Sequence, residues 1–229
     1  LDTNMYKTVS VIPGVSSNTY GSGSLGGVVL IETKDPEDII KEDKSWGAAL
    51  RYGHETNGKA NTLSADLAKR FSDTFSANAT ITGKQFDPYK DGQGVSSEEG
   101  HTGTDDLGLL LKGVITPSSE HRIELSTLTN TKEYTAPGGG SSTSVYDTEI
   151  LDRTYAAEYN FTPTDIPWIN LDARISQATT ERDRKTYQSD EDWTTWGVTT
   201  NFLEFNNTSE FEQSERIFHV IKVGADYTH

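Results

Sequence analysis

The chain has 229 residues and a net charge of −15, which argues against nucleic acid as a partner, because phosphate binding needs clustered lysine and arginine. It has no cysteine, which removes disulfides, thiolate zinc sites and thiol catalysis. Only 33% of residues are hydrophobic, the mean hydropathy is −0.62, and no window approaches the roughly 18 apolar residues of a transmembrane helix.

A membrane role stays open, since a transmembrane β-barrel hides its apolar surface in every second residue and averages as soluble. The opening LDTNMYKTVS lacks the basic and apolar regions of a signal peptide, and the sole methionine is Met5. The expectation is a processed chain or a piece of a longer one.

Next comes TYGSGSLGGVVLIETKD, Thr19 to Asp35, in which Gly21, Gly23 and Gly26 have the spacing G-x-G-x-x-G. A dinucleotide loop must open a helix, whose free N–H groups and dipole hold the pyrophosphate. Here the β-branched run VVLIETK follows Gly27 and predicts a strand, so the context is wrong for a nucleotide. The glycines suit tight turning and close backbone approach instead.

Beyond residue 45 period-2 alternation recurs and no helical period persists. In TLSADLAKRF, Leu63, Ala65, Leu67, Lys69 and Phe71 share one face, apolar but for Lys69. In TFSANATITG, Phe75, Ala77, Ala79, Ile81 and Gly83 oppose Ser76, Asn78, Thr80 and Thr82, and in WINLDARIS, Ile169, Leu171, Ala173 and Ile175 oppose Asn170, Asp172, Arg174 and Ser176. Strands are predicted near 46–54, 60–71, 74–86, 105–116, 120–134, 150–162, 167–181, 196–213 and 215–229. Alternation alone also fits an antiparallel sandwich with one wet face.

The connections separate the two. Short turns (72–74, 117–120, 162–167 and near Ser214) alternate with longer links (54–60, 87–104, 135–149 and 181–195). An up-and-down meander collects alternate links at opposite ends, and outer-membrane barrels have short turns at one end and long loops at the other. Phe71 and Phe75 flank the first short turn and Phe161 and Trp168 the third, where rings suit a membrane interface.

With these strands behind it, YGSGSLGGVVLIETKDPEDII (Tyr20 to Ile40) resembles the end of the plug domain of TonB-dependent outer-membrane receptors, commonly YGSGALGGV followed by a strand. The motif residues are Tyr20, Gly21, Gly23, Gly26 and Gly27. VSVIPGVSSN (Val9 to Asn18) is similar to the family's penultimate plug segment, with Ser10 where an acid is frequent and Pro13 where Arg or Lys is. KDPEDII resembles the acidic linker of the haem and haemoprotein receptor branch.

The resemblance implies an all-β fold: the C-terminal end of a plug in 1–40, and the first part of an antiparallel transmembrane β-barrel in 41–229. That part holds about nine strands of a barrel of about 22. It implies active uptake of haem or haem-protein iron across the outer membrane of a Gram-negative bacterium, with the TonB energising complex and outer-membrane lipid as partners. Haem is the transported ligand and no cofactor is covalently bound. A ferric siderophore receptor is the alternative, and a passive porin or adhesin would have no use for the plug-like segment.

The family's F-R-A-P and N-P-N-L motifs are missing, so no axial haem ligand carries over. His101 and Tyr89 in the second loop, His54 at the rim, and Tyr134 (with Tyr146) in the third loop are candidate ligand contacts. HETNG is not H-E-x-x-H, so zinc hydrolysis is not indicated, and no G-x-S-x-G elbow supports a hydrolase. Ser76, Asn78, Thr80, Asn170, Asp172 and Arg174 are assigned to the lumen. With that lumen filled by the plug, Ala79→Arg on the lipid face is expected to be costly and Thr80→Arg to be tolerated better.

Overall fold

The computed structural model describes residues 3–14, 26–90, 92–94, 103–137, 144–187, 193–214 and 217–229. The first of its two sheets pairs β1 (Tyr6–Pro13) with β2 (Gly27–Thr33) in antiparallel register, Val9 opposite Ile31 and Pro13 opposite Gly27. VVLIET is thus a strand, and the glycine-rich stretch lies in its connection, which Gly14 N–H closes onto the Gly26 carbonyl at 3.3 Å. Gly27 has φ +139°, and a Cβ there would fall 2.6 Å from the Ile12 carbonyl oxygen. Left-handed backbone and close approach both require glycine at that corner. Tyr20, Gly21 and Gly23 lie outside the described residues.

After β2 the chain makes one helical turn, α1 (Pro36–Ile39). Pro36 presets φ at its start, Glu37 and Asp38 face the positive end of its dipole, and the Asp38 carboxylate accepts the Asp35 N–H at 2.8 Å.

The second sheet holds nine antiparallel strands in strict sequence order: β3 (Trp46–His54), β4 (Asn61–Ser72), β5 (Phe75–Phe86), β6 (Thr104–Ser118), β7 (His121–Pro137), β8 (Val145–Phe161), β9 (Leu171–Thr186), β10 (Trp193–Ser214) and β11 (Ile217–Thr228). The meander and all nine predicted strands are present. Several ends differ. Cross-strand pairing carries β7 to Pro137 and β9 to Thr186, and starts β8 at Val145, because register with a neighbour overrides weak local patterning. β9 begins at Leu171, since Pro167 cannot donate to a ladder and Ile166 to Ile169 form a turn instead, the Ile169 N–H reaching the Ile166 carbonyl at 3.0 Å. The link 162–170 is therefore longer than predicted, and the links at 138–144 and 187–192 are shorter.

Burial sorts the two faces. Thr3–Met5 and the segment from Lys34 through α1 lie against the inner face of β3 to β6, where Ser64, Asp66, Ala68, Ser76, Asn78, Thr80, Thr82, Leu110, Lys112 and Val114 are buried. The outer face keeps Leu50, Leu63, Leu67, Ile81, Leu107, Leu125, Tyr155, Ile175, Leu203 and Val223 at least half exposed. Such an apolar belt suits lipid. Along β8 it runs from Phe161 to Tyr155 and then gives way to Arg153, Glu149 and Asp147, and along β9 Ile175 gives way to Glu181, Asp183 and Lys185. About 9 to 11 residues cross a bilayer, so the loop-side ends of these 16- and 17-residue strands stand clear of it. Rings mark the other border: Phe71 stacks on Phe75 at 5.3 Å, and His121 on Phe161 at 4.6 Å. Lys69 keeps its place on the apolar face by reaching over the Phe71 ring, 5.3 Å from its centroid.

Candidate functional site

Two inner-face regions gather charge. The first is a seam between Lys34–Asp38 and the wall. Lys34 Nζ donates to Asp66 Oδ2 at 3.0 Å, Arg51 donates to the same carboxylate, and Thr80 Oγ1 to its other oxygen at 2.8 Å. Asp66 is fully buried there. Asp35 accepts from Lys112 at 2.6 Å and Arg122 at 3.2 Å, and both cations also meet Glu124, at 3.3 and 2.6 Å. Ser76 Oγ donates to Glu37 at 3.1 Å, and Asn78 Nδ2 to the Lys34 carbonyl at 3.3 Å.

Lys7 of β1 completes the seam, 3.4 Å from Asp38 and 3.7 Å from Asp35. Burial opposes its charge, but Asp38 and Asp35 outweigh that and hold the ammonium pKa above its usual value. The contribution of Lys7 is complete at neutral pH and is lost only as pH rises through that raised value. Two glycines admit the tail. A Cβ on Gly47 would lie 2.2 Å from the Ile39 carbonyl oxygen, and one on Gly108 would lie 2.5 Å from Met5 Cε, whose side chain is completely buried.

Charge pairing between tail and wall, which Ser10 and Pro13 do not supply, thus runs through KDPED. The lumen assignments of Ser76, Asn78 and Thr80 hold. Asp172 and Arg174 also face inward, Asp172 accepting from Asn160 at 2.5 Å and Arg174 3.3 Å from Glu158. The geometry argues against easy acceptance of Thr80→Arg, because Thr80 has no exposed surface and bonds the carboxylate that Lys34 and Arg51 share. The wall partners Asp66, Lys112, Arg122 and Glu124 went unnoticed in the sequence. Their signal was a charge at an inward position of a strand, as in LLLKGV.

The second region is the inner face of β7 to β10 beyond the apolar belt. Arg184 lies over the Tyr146 ring at 3.5 Å from its centroid, Arg182 over Trp196 at 5.4 Å and Lys132 over Tyr134 at 5.7 Å. Arg182 also donates to the Tyr134 hydroxyl at 3.4 Å. Tyr134 and Tyr146 were expected in a loop, and extension of β7 and β8 makes them strand residues facing the lumen.

The other nominated residues do not converge on this region. His54 is the last residue of β3 and turns to the outer face, its Nδ1 3.0 Å from Asn61 Oδ1. Tyr89 sits in a segment tied down by Lys90 N–H to Asn57 Oδ1 at 2.7 Å. His101 lies outside the described residues. A cleft of about 540 Å³ at the loop-side rim is lined by Asp87, Asp105, Glu133, Asp147 and Glu149 with Lys185. Its charge disfavours an anionic ligand, and among the described residues no group of three or more His, Cys, Asp or Glu could hold a metal ion.

No protein-family model matches the chain. Over 92% of its length it is 26% identical to the TonB-dependent heme receptor A of Haemophilus influenzae (strain Rd), covering 32% of that protein. The protein of the same name from Haemophilus ducreyi is 24% identical over 99% of the chain, covering 34% of that protein. Among solved structures, a double mutant of the Serratia marcescens hemophore receptor HasR, in complex with its hemophore HasA and heme, superposes over 100% of the chain with a TM-score of 0.88 at 20% identity, covering 33% of that receptor. The siderophore receptor PirA from Acinetobacter baumannii superposes with a TM-score of 0.75 at 15% identity, over 98% of the chain and 35% of PirA. The chain thus spans about a third of the length of the proteins it matches. Along nearly the whole chain the sequence is similar to TonB-dependent heme receptors, and the fold is that of a portion of a TonB-dependent receptor barrel with the tail of its plug.

Proposed function

We propose that the full receptor resides in the Gram-negative outer membrane and takes up haem, or iron from a haem protein, by TonB-dependent active transport. The observation that carries this reading is the similarity to heme receptors over almost the entire chain. Residues 1–40 act as the C-terminal end of the plug and 41–229 as the N-terminal part of the wall. The apolar strip Val9, Val11, Val29 and Ile31, 45% to 70% exposed on β1 and β2, supports this division, because it suits burial against further plug strands. In this role the protein carries cargo and does no chemistry on it.

The seam gives the wall a defined hold on the plug tail. Energy delivered through TonB would have to break or carry along the contacts at Lys34 and Asp35 to open a path inward.

The test is a haem titration of the full-length receptor in detergent, followed at the Soret band. A saturable shift near one haem per barrel is expected. No shift, together with tight binding of a ferric siderophore, would retain barrel and plug and replace the ligand.

A further inference from the structure

We infer that Arg182 and Arg184 of β9, framed by Tyr134, Tyr146 and Trp196, form an inward-facing site that binds the two carboxylates of a flat aromatic macrocycle, which for a haem receptor are the propionates. The inference rests on the haem reading and assigns it residues that no sequence motif marks.

Strand geometry comes first. Arg182 and Arg184 are two apart on one strand, so both face the lumen about 7 Å from each other. Register sets Arg182 between Ile150 and Trp196, and Arg184 between Thr148 and Thr194. Each cation therefore lies between uncharged neighbours on the adjoining strands.

Among the described residues neither arginine has a carboxylate within ion-pair distance, whereas Arg51, Arg122 and Arg174 all do. The Nε atoms of Arg182 and Arg184 are also buried without a hydrogen-bond partner. With no carboxylate beside them among the described residues, these two guanidinium groups suit an anionic ligand, and guanidinium is the group best matched to carboxylate.

The rings set the shape of that anion. Trp196 is 45% exposed and Tyr134 and Tyr146 are partly exposed, so each leaves ring surface for a planar ligand while its cation holds position. Cations beside exposed flat rings suit a ligand that is apolar and planar over most of its area and acidic along one edge. A small hydrophilic anion would leave the rings unused. The site also stands beyond the apolar belt, open to the side from which external cargo arrives.

The experiment compares haem with its dimethyl ester on the full-length receptor in detergent, wild type against Arg182→Gln/Arg184→Gln. The wild type should bind the ester at least tenfold more weakly than the diacid, roughly the loss of one charge-assisted contact. The double variant should bind haem as weakly as the wild type binds the ester, and should no longer distinguish the two. Unchanged heat-modified gel mobility confirms that the variant barrel is folded. If the variant keeps the wild-type preference for the diacid, or the wild type has none, the carboxylate site is refuted while haem uptake stands. If the wild type binds neither form, the haem reading fails and takes this site with it.

Discussion

Asp66→Asn tests whether the seam is an energetic unit. The change keeps the shape of a side chain with no exposed surface but removes the charge that faces Lys34 and Arg51. Stripping one partner from a buried ion pair costs about 3 to 5 kcal/mol. Lys34 is 13% exposed and cannot turn to water, whereas Arg51 at 46% can, which places the expected loss near the lower end, about 3 kcal/mol. Lys34→Met removes the other partner. Because the two groups touch, the double variant should recover about 1 to 2 kcal/mol relative to the sum of the single losses. The assay is urea unfolding of the full-length receptor in phospholipid vesicles, read by tryptophan fluorescence. Losses below about 0.5 kcal/mol that simply add would refute a coupled seam and reduce these contacts to surface-like pairs.

Three further outcomes are expected. Ala79→Arg on the outer face should cost about 2 to 4 kcal/mol near mid-bilayer, and Thr80→Arg at least about as much, since it would crowd a filled site beside Lys34 and Arg51; the same unfolding assay ranks them, and easy acceptance of Thr80→Arg would mean the tail is not docked. Gly47→Ala should cost about 1 to 3 kcal/mol because the clash is with the rigid Ile39 backbone. Gly108→Ala should cost less, its obstacle being the movable end of Met5, and Gly83→Ala, which meets nothing within 4 Å, should be close to neutral. Asp35→Asn should expose the tail to protease in the folded receptor, because Glu124 is then the one carboxylate that Lys112 and Arg122 keep among the described residues, and Lys112 holds the tail only through the Thr33 carbonyl at 3.4 Å; digestion indistinguishable from wild type would contradict the role of Asp35 as the hub.

Much of the architecture is written locally. Alternation along TLSADLAKRF and TFSANATITG determines which residues meet lipid, since a strand has only two faces and a slip of one residue would exchange them. Alternating segments separated by turns point to the meander, although the expected contrast of short and long links breaks at 162–170, which is longer than 138–144 and 187–192, and VVLIETK after the glycines excludes a nucleotide loop. Strand ends were less legible, because the limits of β7, β8 and β9 are set by partners distant in sequence, and Tyr134 and Tyr146 moved from loop to wall as a result. The seam and the arginine pair were not legible at all. Asp66 and Lys34 are 32 residues apart, and Arg182 and Tyr134 are 48 apart. A charge at an inward strand position looks the same in sequence whether it faces water, a plug or a ligand. Only the folded wall brings Lys34 to Asp66 and sets Arg182 and Arg184 beside Trp196 and Tyr146, because partner choice across a sheet depends on register and on what packs against its inner face.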